Sequence, residues 1–324
     1  MKKEMINQTH IEGLVYDHKL VKKVSGEQSK NPGTEFISGE LQVATDFRMD
    51  ENGVLSGKGM NVVPIHFTYV TATTSKGNNN ATYQALSKII DEEQTIVKVG
   101  VQKAVKVRCD SAIALNEWFT KLTDEKPNSI MRNEGGFVHL VNTISDDANN
   151  HNKFKADMLI TAVKDVEGDP DKGTKDYVIV KGAIFDFRKA LLPVEFVARN
   201  QAAITYFQNL DASNKHPVFT CVWGRQTSQV IKTEFVTESA FGDDEVEVSS
   251  KTIREFRITG ANKVPYEWDD EDTITAAELS QAMSDRELAL ATIKKRQEEY
   301  QKSKNAGTGS ASAVNTDNDV DYDF

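Results

Sequence analysis

Cationic and tryptophan side chains occur close together at two points of the sequence. A groove that holds single-stranded nucleic acid needs cations that follow the phosphates and aromatic rings on which the bases stack. The candidate binding residues are Lys98, Lys106, Arg108, Trp118, Arg188, Lys189, Arg199, Trp223 and Arg225. For any one of them the ordinary alternative stays open, which is a solvated face for Lys or Arg and core packing for Trp.

The spacing of these residues predicts that some of them share a strand face. Valines alternate with cations between residues 97 and 108, and a period of two predicts a strand with Lys98, Lys106 and Arg108 on one side. Trp223 and Arg225 are two residues apart in a predicted strand, so their side chains have the same parity, meaning that they lie on the same face, and they are expected to face a ligand together. If the segment around Trp118 is also a strand, Ile113 and Leu115 point away from the indole.

Motifs for catalysis are absent from the sequence. The six histidines form no HExxH pattern, the two cysteines have no CxxC partner, and no GxxxxGK[ST], GxGxxG or GxSxG loop occurs. We therefore expect a binding protein that is not an enzyme and has no cofactor and no metal. Two alternatives remain: a nuclease whose scattered carboxylates bind magnesium, and an all-β structural or assembly protein that does not bind DNA.

The net charge of −10 is unevenly distributed. Residues 1–262 carry a net charge of −3 and residues 263–324 carry −7, so the body is nearly neutral and can hold a local basic groove. No stretch approaches the roughly 20 apolar residues of a membrane span, and no signal peptide is recognised at the start. Two widely separated cysteines suit a reducing compartment. A cytoplasmic location without membrane contact is expected, in the host cell if the protein is phage-encoded.

The two halves of the sequence contain the same order of predicted elements. In each half three strands precede a short helix, and strands follow it; the best match is between 191–196 and 62–67, each with a proline at its third position. The helices are predicted over 81–91 and 201–210. After the second helix, strands are predicted over 218–225, 230–236 and 252–258. Five strands with a helix between the third and fourth is the order of an OB-fold, although a generic antiparallel sandwich is the alternative.

The predicted fold is thus mainly all-β, with two tandem OB-fold-like five-stranded barrels, each with a short helix, before a C-terminal helix and a disordered tail. The capping box Thr275–Glu278 begins that helix, which should run to about Lys302. Its apolar stripe is expected to pack on its own barrel, with another protomer or a partner as the alternative. The apolar stripe consists of Leu279, Met283, Leu290, Ile293 and Tyr300. The predicted segments are residues 1–145, 153–262, 263–304 and 305–324, with a polar linker over 145–152.

The last residues form an acidic tail behind a linker of small residues. Such a segment cannot bury enough apolar surface to fold alone, and a charge cluster ending in an aromatic ring suits a basic pocket on a partner. An ordinary disordered terminus is the alternative. The candidate partner-binding residues are Asp317, Asp319, Asp321, Tyr322, Asp323 and Phe324.

Duplicated OB-like units followed by this linker and tail resemble single-stranded DNA-binding proteins, particularly those of bacteriophages. The bacterial form has a proline before its terminal Phe, where this chain has Asp323. The resemblance implies a protein that coats single-stranded DNA during replication, recombination and repair. It also implies a tail that recruits replication and recombination proteins and competes with DNA for the basic groove. No cofactor is implied, and the possibility of a homo-oligomer is left open.

Overall fold

The computed structural model of the chain describes residues 5–27, 29–46, 60–168, 175–237, 245–268 and 274–306. Within these ranges, the side chains of 229–252 and 303–306 are not described. The acidic tail, including Asp317 to Phe324, and most of the acidic link at 267–272 lie outside the described residues.

The first half forms a closed five-stranded barrel. The elements are β1 (Asn7–His18), β2 (Val21–Val24), β3 (Glu35–Asp46), β4 (Asn61–Thr71), α1 (Ala81–Glu92), α2 (Ile96–Val99), β5 (Lys106–Trp118) and β6 (Asn128–Leu140). β1 pairs with β3, β3 with β4, β4 with β6, β6 with β5, and β5 returns to β1; only the β4–β6 pairing is parallel. This is the strand order of an OB-fold, and α1 lies between its third and fourth strands.

The second half repeats this closure strand by strand. The elements are β7 (Asn152–Val166), β8 (Tyr177–Phe185), β9 (Leu191–Ala198), α3 (Gln201–Gln208), β10 (Val218–Thr237) and β11 (Glu245–Ala261). β7 pairs with β8, β8 with β9, β9 with β11 in parallel, β11 with β10, and β10 with β7. The predicted duplication and fold class are confirmed.

The helix of each barrel begins in the same way. Asn80 caps α1 and Asn200 caps α3, each with its side-chain oxygen accepting from the backbone N–H two residues later, at 3.0 and 2.8 Å. An Asn at this position satisfies an N–H group that would otherwise lack a partner. Leu86 of α1 and Phe207 of α3 are then buried in the core of their own barrel. Local sequence therefore sets where each helix starts, and an apolar face fixes it to its barrel.

The barrels are joined by their first strands and by two long hairpins. β1 pairs antiparallel with β7 over five residues, which makes one sheet of eleven strands. The β5–β6 hairpin of the first barrel reaches the second, where Ile113 belongs to the core of that barrel and Leu115 and Met131 pack against it. The β10–β11 hairpin of the second barrel reaches the first, where Asn61 donates to the carbonyl oxygen of Gln226 at 3.0 Å.

Two strand predictions are wrong. Residues 96–99 form α2, because the Thr95 side chain accepts from the N–H of Lys98 at 3.3 Å and Ile96 is buried, while Val97 is 56% exposed. Lys98 therefore shares no strand face with Lys106 and Arg108. The strands predicted over 218–225 and 230–236 are one strand, β10, because the polar residues between them pair with β11, as in Thr227↔Glu255. The predicted linker 145–152 contains a 3-10 turn, Ala148–Asn150.

The C-terminal helix α4 (Ala276–Ala306) spans both barrels. Its predicted capping box is present: Thr275 N–H donates to Glu278 at 3.0 Å, and Glu278 N–H donates to the Thr275 hydroxyl at 3.3 Å. Ala282 is buried in a cluster with residues of the second barrel. Farther along, Gln297 accepts from the N–H of Phe119 in the first barrel at 3.1 Å.

The predicted apolar stripe of α4 is only partly correct. Leu279 packs on the second barrel, but Met283 and Tyr300 are 56% and 44% exposed. Polar side chains take part of the buried face, as shown by Arg286, which forms a bidentate pair with Glu117 of β5. None of the helices in the described part of the chain is long and apolar enough to cross a membrane.

Candidate nucleic-acid interface

The turn between β8 and β9 presents an aromatic ring beside two cations. Phe187 is 64% exposed, and the Arg188 guanidinium lies 5.1 Å from the centre of its ring. The Asp186 carboxylate accepts from the N–H groups of Arg188 and Ala190 at 2.8 and 2.7 Å, which fixes the turn, while Lys189 has a positive φ of 66°. Burial raises the pKa of Asp186 above its ordinary value, although these hydrogen bonds oppose the shift.

A second cationic cluster lies at the other end of the same two strands. The Arg199 guanidinium lies 4.1 Å from the centre of the Tyr177 ring and forms a bidentate pair with Glu255. Arg257 also contacts Glu255, at 3.2 Å. Burial would raise the pKa of Glu255, but the hydrogen bonds and charges of Arg199 and Arg257 hold it below its ordinary value. Two guanidinium groups against one carboxylate leave this cluster net positive.

Between these clusters, the outward side of the strand pair is mixed in character. Lys181 pairs with Glu195 at 2.5 Å, and Ile179 lies opposite Val197. The nine residues of β8 span about 30 Å. The second and third strands of an OB-fold form the face on which such folds bind oligonucleotides. We call this surface the β8–β9 face, and its members are Tyr177, Lys181, Phe187, Arg188, Lys189 and Arg199.

Trp223 and Arg225 lie together on the outward side of β10, as predicted. Trp223 is 39% exposed, and its indole lies over Gly260, where a Cβ would be 2.3 Å from Nε1. Arg225 is exposed and donates to the Asn149 side chain at 3.0 Å. Lys155 of β7 lies directly opposite Trp223. These residues form a second surface that combines cations with an aromatic ring.

Sequence reasoning missed two groups of residues on these surfaces. Lys153 and Lys155 are exposed and alternate with buried Phe154 and Ala156, so a period-two pattern could have found them. Phe187 was also missed, although an aromatic residue next to the selected Arg188 was a usable signal.

The predicted residues of the first barrel are more dispersed. Lys98 forms an ion pair with Glu93 at 2.5 Å, and Lys106 donates to the carbonyl oxygen of Asn142 at 3.0 Å. Arg108 is exposed on β5, opposite Glu12. Trp118 is partly exposed at the end of β5. These four residues do not form one cationic groove.

Arg108 does share a sheet surface with the second barrel. His10 of β1 pairs with Lys153 of β7 on one side and with Asp110 of β5 on the other. Arg108 therefore lies two strands away from Lys153 and is displaced by two residues along β5. Asp110 and Glu12 lie between them, and His10 contacts both carboxylates, at 2.6 and 3.5 Å. Among the described residues, no cluster of His, Cys, Asp and Glu side chains suits a metal ion.

Two closed barrels with this strand order, each with a helix between its third and fourth strands, define a protein of the duplicated OB-fold class. The chain belongs to the YorF family, whose sequence model matches residues 6–307. No curated protein matches it significantly.

Several solved structures are similar to the chain. One is a deletion mutant of the single-stranded DNA binding protein from Thermus aquaticus, with 10% identity, coverage of 83% of this chain and 99% of that chain, and a TM-score of 0.46. The wild-type Thermus aquaticus protein gives 10% identity, 82% and 96% coverage, and a TM-score of 0.45. A Plasmodium falciparum SSB complex with ssDNA gives 16% identity, 45% and 100% coverage, and a TM-score of 0.23.

Proposed function

We propose that this chain is a non-catalytic protein that binds and coats single-stranded DNA, and that the β8–β9 face is part of the DNA path. The observation that carries the proposal is the exposed Phe187 ring with Arg188 and Lys189 on the ligand-binding side of an OB barrel. A base stacks on the ring, and the two cations contact the flanking phosphates.

The length of this face supports a bound strand rather than a single small anion. Cations stand at both ends of β8–β9, about 30 Å apart, which suits the site sizes of about 4–16 nucleotides found for OB-folds. The Tyr177 ring beneath Arg199 provides a second aromatic group at the far end. Trp223 and Arg225, with Lys153 and Lys155, supply a further surface along which the strand can continue.

Titration of fluorescein-labelled oligo-dT, followed by anisotropy at several salt concentrations, tests the proposal. Replacing Phe187 with Ala should weaken binding about 5- to 150-fold, because one stacked base contributes about 1–3 kcal/mol. The double variant R188A/K189A should reduce the slope of log affinity against log salt by about 1.4, or about 0.7 for each lost contact to a single strand.

The matched control is K88A/K295A, which removes two charges from helix surfaces where each lysine belongs to an exposed i,i+4 pair. Its affinity and salt slope should equal those of the wild type. If the wild-type protein fails to bind oligo-dT at low salt, the proposal is refuted. Cleavage of the strand that depends on magnesium would replace it with the nuclease alternative.

The proposal extends to a role in replication, recombination and repair, with the acidic tail as the recruiting segment of a bacteriophage-type protein in the cytoplasm of its host. Two free cysteines agree with a reducing compartment. Deleting residues 317–324 should leave DNA affinity unchanged or stronger while abolishing capture of a replication or recombination protein. Weaker DNA binding after this deletion would contradict a recruiting tail.

A further inference from the structure

A cleft between the two barrels is lined by residues of both. It has a volume of about 370 Å³ and lies where β4 and β6 of the first barrel face β10 and β11 of the second. Binding sites for small molecules occupy about 300–1,000 Å³, so the cleft is large enough for one compact group. Because the lining comes from both halves, the site exists only in the joined molecule.

One wall of the cleft is apolar. Val62 and Pro64 of β4 and Ile130 and Met131 of β6 contribute to it. Ile130 is 56% exposed, so an apolar side chain stands where a ligand would enter. A flat, apolar wall of this kind suits the face of a nucleobase, which aromatic and apolar side chains hold by stacking.

The floor of the cleft is a fixed set of carboxamides. Asn133 donates to Gln226 at 2.8 Å, and Gln226 donates back at 2.6 Å. His66 stands nearby with the Glu40 carboxylate 3.3 Å from Nε2. Burial lowers the pKa of His66 below its ordinary value, against the opposing effect of Glu40. The Asn133 and Gln226 amides are already hydrogen-bonded to each other, so they fix the floor of the cleft and leave the apolar wall to hold the base.

Two arginines line the cleft, and they differ in their partners. Arg132 is held by Glu134, at 2.9 Å from both Nε and Nη2. Arg254 of β11 is exposed and forms no ion pair with a carboxylate in the described ranges. Glu255 also lines the cleft but is bound by Arg199 and Arg257. Arg254 is therefore the group positioned for a phosphate.

We infer that this cleft binds one nucleotide of a single strand, with its base against Val62 and Ile130 and its phosphate on Arg254. The inference rests on the proposed function and adds a subsite that the β8–β9 face does not contain. Among the described residues, Arg254 is the cation that faces the phosphate, so the base contributes most of the contact. Variants that exclude the nucleotide should thus lower affinity and reduce the salt slope by about 0.7, half the reduction expected for R188A/K189A.

The test combines a variant that blocks the entrance with photocrosslinking. Ser129 is exposed on the rim, so S129W should fill the entrance without disturbing the core. Its affinity for oligo-dT should fall at least tenfold and its salt slope by about 0.7, for the one phosphate contact at Arg254, whereas R188A/K189A lowers the slope by about 1.4. V264W, at a residue 70% exposed elsewhere, is the matched control and should bind like the wild type.

Oligo-dT that carries 5-iodo-deoxyuridine should crosslink to peptides containing residues 62–66 or 129–133, and S129W should abolish these crosslinks. Circular dichroism confirms that each variant is folded. If wild type and S129W bind equally and crosslinks occur only on the β8–β9 face, the cleft is refuted while the proposed function stands. If the wild type binds no oligo-dT, the proposed function fails and the cleft fails with it.

Discussion

The reciprocal amide pair Asn133–Gln226 should be among the most sensitive polar contacts between the barrels. Asn133 is 1% exposed and Gln226 is 8% exposed. The Asn133 carboxamide donates to Gln226 and to the carbonyl oxygen of Pro64, at 2.8 and 2.9 Å, and accepts from Gln226 at 2.6 Å. Replacing Asn133 with Ala removes three hydrogen bonds and leaves the Gln226 amide buried without this partner.

The magnitude follows from the cost of buried polar groups without partners. Each costs about 1–3 kcal/mol, so N133A should lower the free energy of unfolding by about 2–4 kcal/mol. Urea denaturation followed by both tryptophan fluorescence and far-UV circular dichroism measures the change. The exposed Asn214 gives the control, since N214A should shift stability by less than about 0.5 kcal/mol.

A double-mutant cycle separates pairing from side-chain truncation. The variant N133L/Q226L removes both amides, so its cost should be smaller than the sum of the costs of N133L and Q226L by about 1–3 kcal/mol. Additive costs would refute the reasoning, and so would a loss below about 0.5 kcal/mol for N133A. If the unfolding curves from fluorescence and circular dichroism coincide in the wild type but not in N133A, the amide pair couples the unfolding of the two barrels.

Three further predictions concern single side chains. Replacing Arg286 with Met leaves the Glu117 carboxylate, whose side chain is 6% exposed, without its partner, and should lower the free energy of unfolding in urea by about 3–5 kcal/mol. The control K295A, which breaks an exposed ion pair, should lower it by less than about 1 kcal/mol. Equal losses in the two variants would contradict this reasoning. Both cysteines are buried, and burial raises the pKa of the Cys221 thiol to about 11. Native protein should therefore react far more slowly with a thiol reagent than protein unfolded in urea, whereas equal rates would place a thiol at the surface. Because burial lowers the pKa of folded His66 below 6.5, the unfolded state binds more protons below about pH 6.5 and stability should fall there. H66Q should reduce this fall, measured as the urea midpoint between pH 5 and 7, and an unchanged profile would exclude His66 as a contributor.

Part of the candidate site could be predicted from sequence because strand parity is a local property. Trp223 and Arg225 were predicted to share a face, and they do. Arg188 and Lys189 were also selected as cations beside the third strand of the second barrel, although neither Phe187 nor Tyr177 was included. Arg199 was selected too, yet its pairing with Glu255 of β11 could not be predicted, because that contact depends on the parallel closure of the barrel.

The alternation of Val and Lys around residue 98 shows where an alternating pattern fails to predict a strand. The pattern fits a strand, but the Thr95 cap and the burial of Ile96 produce a helical turn instead. Arg108 was predicted to join a groove with Lys98 and instead lies near Lys153 of the other barrel, because β1 pairs with β7. The Thr95 cap is a local contact that the alternating pattern overlooked, whereas the burial of Ile96 against Leu14 and Ala44 and the pairing of β1 with β7 join residues distant in sequence.

By itself, the sequence determined the strand parities, the Asn and Thr helix caps and the repeated order of elements, since each depends on residues only a few positions apart. The tertiary structure alone decided how each barrel closes, how the two barrels share a sheet, and how each long hairpin packs against the other barrel. Those pairings join residues about 60 to 150 positions apart, and the cleft between the barrels results from them.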